Sequence, residues 1–205
     1  MKKVFKVVKW LFLIFVVLFA VAIGYLRFGR VLDGQIYRAD YREEALATEF
    51  EHEEMYLSLS DQTSIHAALF RPADSVAVKA TIMHHAGNGM SINDSQKRFY
   101  APLIQAGYQI FTYERRGYGQ STGKADNSQT LRRDADEIFD QVVRFEAVKN
   151  TPIIIWGTSI GGIFATANAS SKNEQIAGLI IESAFSSFPA VAQFYASEIN
   201  LEKFN

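Results

Sequence analysis

The segment Ile153-Ile154-Ile155-Trp156-Gly157-Thr158-Ser159-Ile160-Gly161-Gly162 constrains this chain more than any other. Pro152 introduces four bulky apolar residues, the composition of a short buried strand. Three glycines then surround one serine, and Ile163-Phe164-Ala165-Thr166-Ala167 carries on as a helix over 160–171. A chain that passes from strand to helix in so few residues needs glycine where side chains would collide, and it strains the residue at the apex. Ser159 is then exposed at a helix N-terminus, where backbone amides can hold a developing negative charge. The spacing predicts Ser159 as a nucleophile and the Ile160 amide as one donor to an oxyanion.

The pattern G-x-S-x-G also occurs at Gly119–Gly123. There Arg115-Arg116-Gly117-Tyr118 precedes Ser121's glycine and Lys124-Ala125-Asp126-Asn127 follows, which is loop composition on both sides. Ser121 is expected to serve a turn.

The rest of the body alternates strands and helices. Met55–Ser60 and Thr63–Arg71 read as a hairpin turning at Asp61-Gln62. Val76–His84 reads as a third strand, 95–106 as a helix stopped by Gly107, and Ile110–Glu114 as a fourth strand. Leu131, Ala135, Ile138, Val142 and Phe145 fall on one face of a helix over 128–148, and Ile176–Ile181 is a sixth strand. This order predicts an α/β fold, a mainly parallel sheet flanked by helices. The loop after the third strand reads His84-His85-Ala86-Gly87-Asn88-Gly89, and Ala86 or Gly87 is expected to give the second oxyanion amide. His84 and His85 are adjacent on a strand end and so point to opposite faces, which is poor geometry for a shared metal.

Composition narrows the function further. With no Cys there is no disulfide, no thiolate zinc site and no catalytic thiol. Residues 1–30 hold six basic side chains and no acid, leaving 15 basic against 22 acidic in the remainder. A body with that acidic excess is a poor nucleic-acid partner. Trp10 to Leu26 is uncharged and, as a helix, reaches about 26 Å, close to a bilayer core of roughly 30 Å. Preceded by four lysines, it is expected to hold the protein in a membrane with the N-terminus cytoplasmic and the body on the extracytoplasmic side. Ala20-Val21-Ala22 also fits a signal-peptide cleavage site, although the apolar run continues beyond it. The expected organisation is an anchor or signal segment at 1–30, an acidic stalk at 31–54 and a domain at 55–205.

Taken together, these motifs resemble the α/β-hydrolase superfamily, most closely its membrane-anchored serine hydrolases of the depalmitoylase-like and serine-aminopeptidase-like branch. His85-Ala86-Gly87-Asn88-Gly89 is similar to the family's His-Gly oxyanion loop, with Ala86 where Gly is usual. Tyr113-Glu114-Arg115-Arg116-Gly117-Tyr118-Gly119-Gln120-Ser121 is similar to its Arg-Gly-x-Gly-x-Ser loop, and Gly157–Gly162 to its nucleophile elbow. The resemblance implies attack by Ser159 on an ester, thioester or amide of an acyl or other small-molecule substrate. The Ile160 and Gly87 amides, or in the other register Ala86, would hold the oxyanion, and no cofactor is implied. It further implies an acid and then a His after the serine. His52, His66, His84 and His85 all precede Ser159, and Glu182, at the end of the sixth strand, is the local candidate for the acid. The resemblance therefore implies a longer enzyme whose last strands lie beyond this chain. The alternative is a non-catalytic, membrane-tethered binding protein on the same fold. Phe185, Phe188, Phe194, Tyr195 and Phe204 fall where the superfamily places its lid, or else form a core helix.

Overall fold

The computed structural model describes residues 9–24, 37, 45–125 and 127–186. Six strands form one sheet: β1 (Glu51–Ser58), β2 (Ser64–Arg71), β3 (Ala80–His85), β4 (Tyr108–Tyr113), β5 (Ile153–Thr158) and β6 (Gly178–Glu182). Their order across the sheet is β1-β2-β4-β3-β5-β6. β1 with β2 and β2 with β4 are antiparallel, and β4, β3, β5 and β6 run parallel. β3 is buried along its whole length, as a parallel strand covered on both faces must be. β1 is an edge, and Glu51, Glu53 and Glu54 make it a charged one, which discourages further pairing.

Helices cover both faces. One face carries a continuous helical run: α2 (Ile92–Ser95), a π-helical turn (Gln96–Tyr100) and α3 (Ala101–Gln105). Ile92, Tyr100 and Ile104 pack there against Phe70, Ile82, Ile110 and Trp156. The other face carries α4 (Ser128–Val142) and α5 (Gly161–Ser171). Of the stripe expected from the sequence, Leu131, Ala135, Ile138 and Val142 are buried on α4, while Phe145 lies past its end and packs partly buried against the same core. Asn127 caps α4, its side chain accepting from the Gln129 and Thr130 amides. Beyond Val142 the chain turns away as short bends instead of continuing as helix to 148.

Two strand starts differ from expectation by four residues each. β3 starts at Ala80 and not at Val76, because the Val76 N–H closes a turn onto the Ala73 carbonyl and the Lys79 N–H bonds to the Gly107 carbonyl. β1 begins at Glu51, inside the stretch read as a stalk, because its residues pair with β2 as far as Arg71. The residues just before it are also bound to the domain. The Ala47 N–H donates to Asn93 Oδ1 at 2.9 Å, Gln96 Nε2 donates to the Ala47 carbonyl at 2.8 Å, and Leu46 and Phe50 pack on the α2–α3 face. Tyr37 is buried against Tyr118 and Phe164.

Residues 9–24 form helix α1. Trp10, Leu11, Phe12 and their apolar successors through Ile23 are exposed all round it. Among the described residues no helix is long and apolar enough to cross a membrane, and the run expected from the sequence continues past residue 24. Of the aromatic stretch at 185–204, Phe185 packs against the Tyr118–Phe164 cluster, and residues 187–205 lie outside the described residues.

Candidate active site

β5 feeds directly into α5, and Ser159 stands at the junction with φ of 54°. That left-handed conformation is costly for a residue with a side chain, and it is held by the backbone on both sides. The Ser159 N–H donates to the Glu182 carbonyl at 2.9 Å, and the Ser159 carbonyl accepts from the Gly162 N–H at 3.0 Å. Close approach explains the flanking glycines. A Cβ on Gly157 would stand 2.6 Å from the Ala165 Cβ and from the Gly162 Cα. A Cβ on Gly161 would run into the carbonyls of His85 and Ala86.

Those carbonyls belong to the loop leaving β3, so the elbow and the loop are packed directly on each other. Gly87 lies beside the serine: a Cβ placed on it would lie 3.7 Å from the Ser159 Cβ. Among the described residues the turn's backbone hydrogen bonds use neither the Ile160 nor the Gly87 amide. The expected residues Ser159, Ile160, Ala86 and Gly87 thus come together at the C-terminal ends of neighbouring parallel strands.

The loop is held from behind by the segment after β4. Arg115 donates from Nη1 to the Ala86 carbonyl at 2.7 Å and from Nη2 to the Gly87 carbonyl at 2.9 Å. Tyr118 Oη donates to Asn88 Oδ1 at 2.7 Å. Arg116, the arginine of the Arg-Gly pair, points elsewhere and pairs with Asp134 and Asp61. Ser121 plays the structural part its loop composition indicated. Its buried hydroxyl donates to the Glu114 carbonyl at 2.6 Å and accepts from the His66 N–H at 2.9 Å.

The histidines are all engaged away from Ser159. His84 and His85 point to opposite faces. His84 stacks on Trp156 and bonds through Nδ1 to Tyr100 Oη at 2.7 Å and through Nε2 to Thr158 Oγ1 at 3.0 Å. Thr158 Oγ1 in turn donates to Glu182 Oε2 at 3.3 Å. This chain of donors is complete with His84 neutral. Burial, with the charges of His85 and Arg115 added, pushes His84 down to about 3. His85 bonds to Tyr113 Oη at 2.9 Å, and burial together with the Arg115 charge also lowers it to about 3. His66 lies between Glu114 (2.9 Å) and Glu54 (2.9 Å) near the antiparallel edge. Glu182 therefore has Thr158, and no His, as the hydrogen-bond partner of its carboxylate among the described residues. No group of three or more His, Asp or Glu that could hold a metal occurs among the described residues.

The profile of the family described as serine aminopeptidase, S33 matches residues 77–200, which include β3, the loop that follows it and the turn at Ser159. The chain belongs to this family. Membership in the serine aminopeptidase, S33 family places it in the α/β-hydrolase superfamily, as the fold requires. Protein bem46 of Schizosaccharomyces pombe is 27% identical over 140 residues, 67% of this chain and 46% of that protein. The uncharacterized membrane protein YNL320W of Saccharomyces cerevisiae is 26% identical over 143 residues, 70% of this chain and 49% of that protein. The chain thus spans about half the length of these curated relatives. A soluble variant of the monoglyceride lipase of Saccharomyces cerevisiae, solved with a substrate analog, shares the fold. Its TM-score is 0.59 at 20% identity, covering 82% of this chain and 56% of that one.

Arg115 and Thr158 were missed as site residues in the sequence. A signal for Arg115 existed: two consecutive arginines follow an apolar strand, and one suffices for the Arg-Gly motif. Thr158 carries no such mark.

Proposed function

We propose that this protein is a serine hydrolase that acts on an ester, thioester or amide through an acyl-enzyme on Ser159. The observation that carries this reading is the strained backbone of Ser159 next to Gly87, with the Ile160 and Gly87 amides bonded to no backbone acceptor among the described residues. In this reading Ser159 Oγ attacks the carbonyl carbon, the two amides hold the oxyanion, and collapse expels the leaving group. Water then attacks the acyl carbon and frees the serine. The general base is a group other than the four His of this chain, since His66, His84 and His85 are engaged elsewhere and His52 lies on the exposed β1 edge. Glu182 is the local carboxylate for orienting such a base.

Labelling with a fluorophosphonate tests the reading. Stoichiometric labelling of the intact wild-type protein, lost in Ser159→Ala, is expected. Labelling that persists in Ser159→Ala removes Ser159 from the role. A second reading, a binding protein on the same fold, is favoured by the engagement of every His away from Ser159; it predicts a folded chain that neither labels nor hydrolyses p-nitrophenyl esters.

The reading includes a membrane tether. The exposed apolar side chains of α1 and the four lysines that precede Trp10 in the sequence support it, as does the relative described as a membrane protein. The positive-inside tendency supports an extracytoplasmic body in this reading. Retention in the pellet after carbonate extraction is expected; release into the soluble fraction overturns the anchor.

A further inference from the structure

Arg115 is an unusual cation. It is buried at 6% exposure, yet among the described residues it has no carboxylate within ion-pair distance, while its neighbour Arg116 takes Asp134 and Asp61. Its Nε has no hydrogen-bond partner among the described residues. A buried charge without a counterion is costly. What surrounds it instead is the Tyr118 ring at 4.7 Å, the Phe164 ring at 5.6 Å, and the carbonyls of Ala86 and Gly87.

The two carbonyls matter because of the planar trans peptide. In such a unit the C=O and the following N–H point in opposite directions. The Ala86 carbonyl is drawn to Nη1 of Arg115, so the Gly87 N–H on the same peptide points away from the guanidinium. Gly87 is also the loop residue that lies beside Ser159. The fork holds two successive carbonyls at once, which a single-point donor does not.

We infer that Arg115 is a positioning residue for the reaction at Ser159: it orients the Ala86–Gly87 peptide so that the Gly87 amide serves the oxyanion, and the oxyanion supplies the negative charge the guanidinium otherwise lacks. This rests on the nucleophile reading given above. Its benefit is larger in the tetrahedral state than in the ground state, because only then is there an anion to attract. A role of this kind changes the rate of acylation and leaves binding of a neutral reagent alone.

The test is saturation kinetics of fluorophosphonate labelling on the full chain, in which kinact and KI are measured separately. In Arg115→Met, kinact is expected to fall about 100-fold, the scale seen when an oxyanion donor is removed. KI should stay within about twofold and the final labelled fraction should reach the wild-type value. Arg115→Lys, which keeps the charge and loses the fork, should recover about tenfold of that loss. A wild-type kinact in Arg115→Met overturns the inference. So does a fall in labelled fraction and melting temperature with kinact of the labelled part unchanged, which is the mark of a purely structural role. If Arg115→Met does not fold, Arg115→Lys decides alone: wild-type kinact there overturns the inference, and a loss of about tenfold at unchanged KI supports it. An intact wild-type protein that never labels, or Ser159→Ala that does, overturns the nucleophile reading itself and is recognised without reference to Arg115.

Discussion

Arg116 and Asp134 face each other as a two-point pair, Nε to Oδ2 at 2.6 Å and Nη2 to Oδ1 at 2.7 Å, with both side chains nearly buried. The pair ties the loop after β4 to α4. Asp134→Ala leaves the guanidinium buried with only the half-exposed Asp61 as partner. The expected loss is about 3 kcal/mol, read as a lower urea midpoint. Asp61→Ala removes a partner near the surface, and its expected cost stays under about 1 kcal/mol.

The histidines set opposing pH trends. His84 and His85 are held neutral, at about 3 each, while the unfolded chain takes up protons near pH 6.5. Their contribution is present above that pH and is lost as pH falls below it. His66 goes the other way. Burial works to lower it, but the hydrogen bonds and charges of Glu114 and Glu54 prevail and raise it. Its contribution is full below the unfolded value and is lost as pH rises through the raised one. Stability at equilibrium is therefore expected to peak near pH 6.5. His66→Gln should flatten the alkaline side of a plot of denaturant midpoint against pH and leave the acid side steep. An alkaline limb unchanged in His66→Gln contradicts the assignment.

Gly161→Ala drives a methyl group into the His85 and Ala86 carbonyls. Backbone cannot retreat from it without moving the oxyanion loop. The expected outcome is a loss of about 1–3 kcal/mol together with a collapse of fluorophosphonate labelling. The melting temperature and the labelling rate check the two halves of that statement.

The two serines in the same motif are expected to respond in opposite ways. Ser121→Ala strands the His66 N–H and the Glu114 carbonyl, costing about 1–3 kcal/mol, while the Ser159 labelling stoichiometry is kept. Ser159→Ala should change stability by no more than about 0.5 kcal/mol and abolish labelling. Circular dichroism melts and labelling of the same preparations separate the two.

Much of this was legible in the residues. Short apolar runs located all six strands to within about four residues, and Ile153–Trp156 followed by three glycines located the elbow, because such a turn leaves few alternatives. The opposite facing of His84 and His85 followed from strand pleating alone. What the sequence hid was long-range. The pairing of Glu51 to Glu54 with β2 depends on a partner strand and not on local hydrophobicity. The hold of Arg115 on Ala86 and Gly87 spans 28 or more positions in the chain. The link from Tyr100 through His84 and Thr158 to Glu182 needs three strands and a helix in register before any of its atoms meet.

The elbow specifies a location in space and not a side chain. Position 159 is aimed by a left-handed φ and by glycines at its flanks, so whatever residue stands there projects to the same point. The chain contains no sulfur nucleophile of its own. Ser159→Cys would therefore install a single thiol at a helix N-terminus, a setting that favours the thiolate. One maleimide or spin label would report on position 159 of this chain without background, and its reach would map the surroundings of the β5–α5 turn whether or not the protein turns over a substrate.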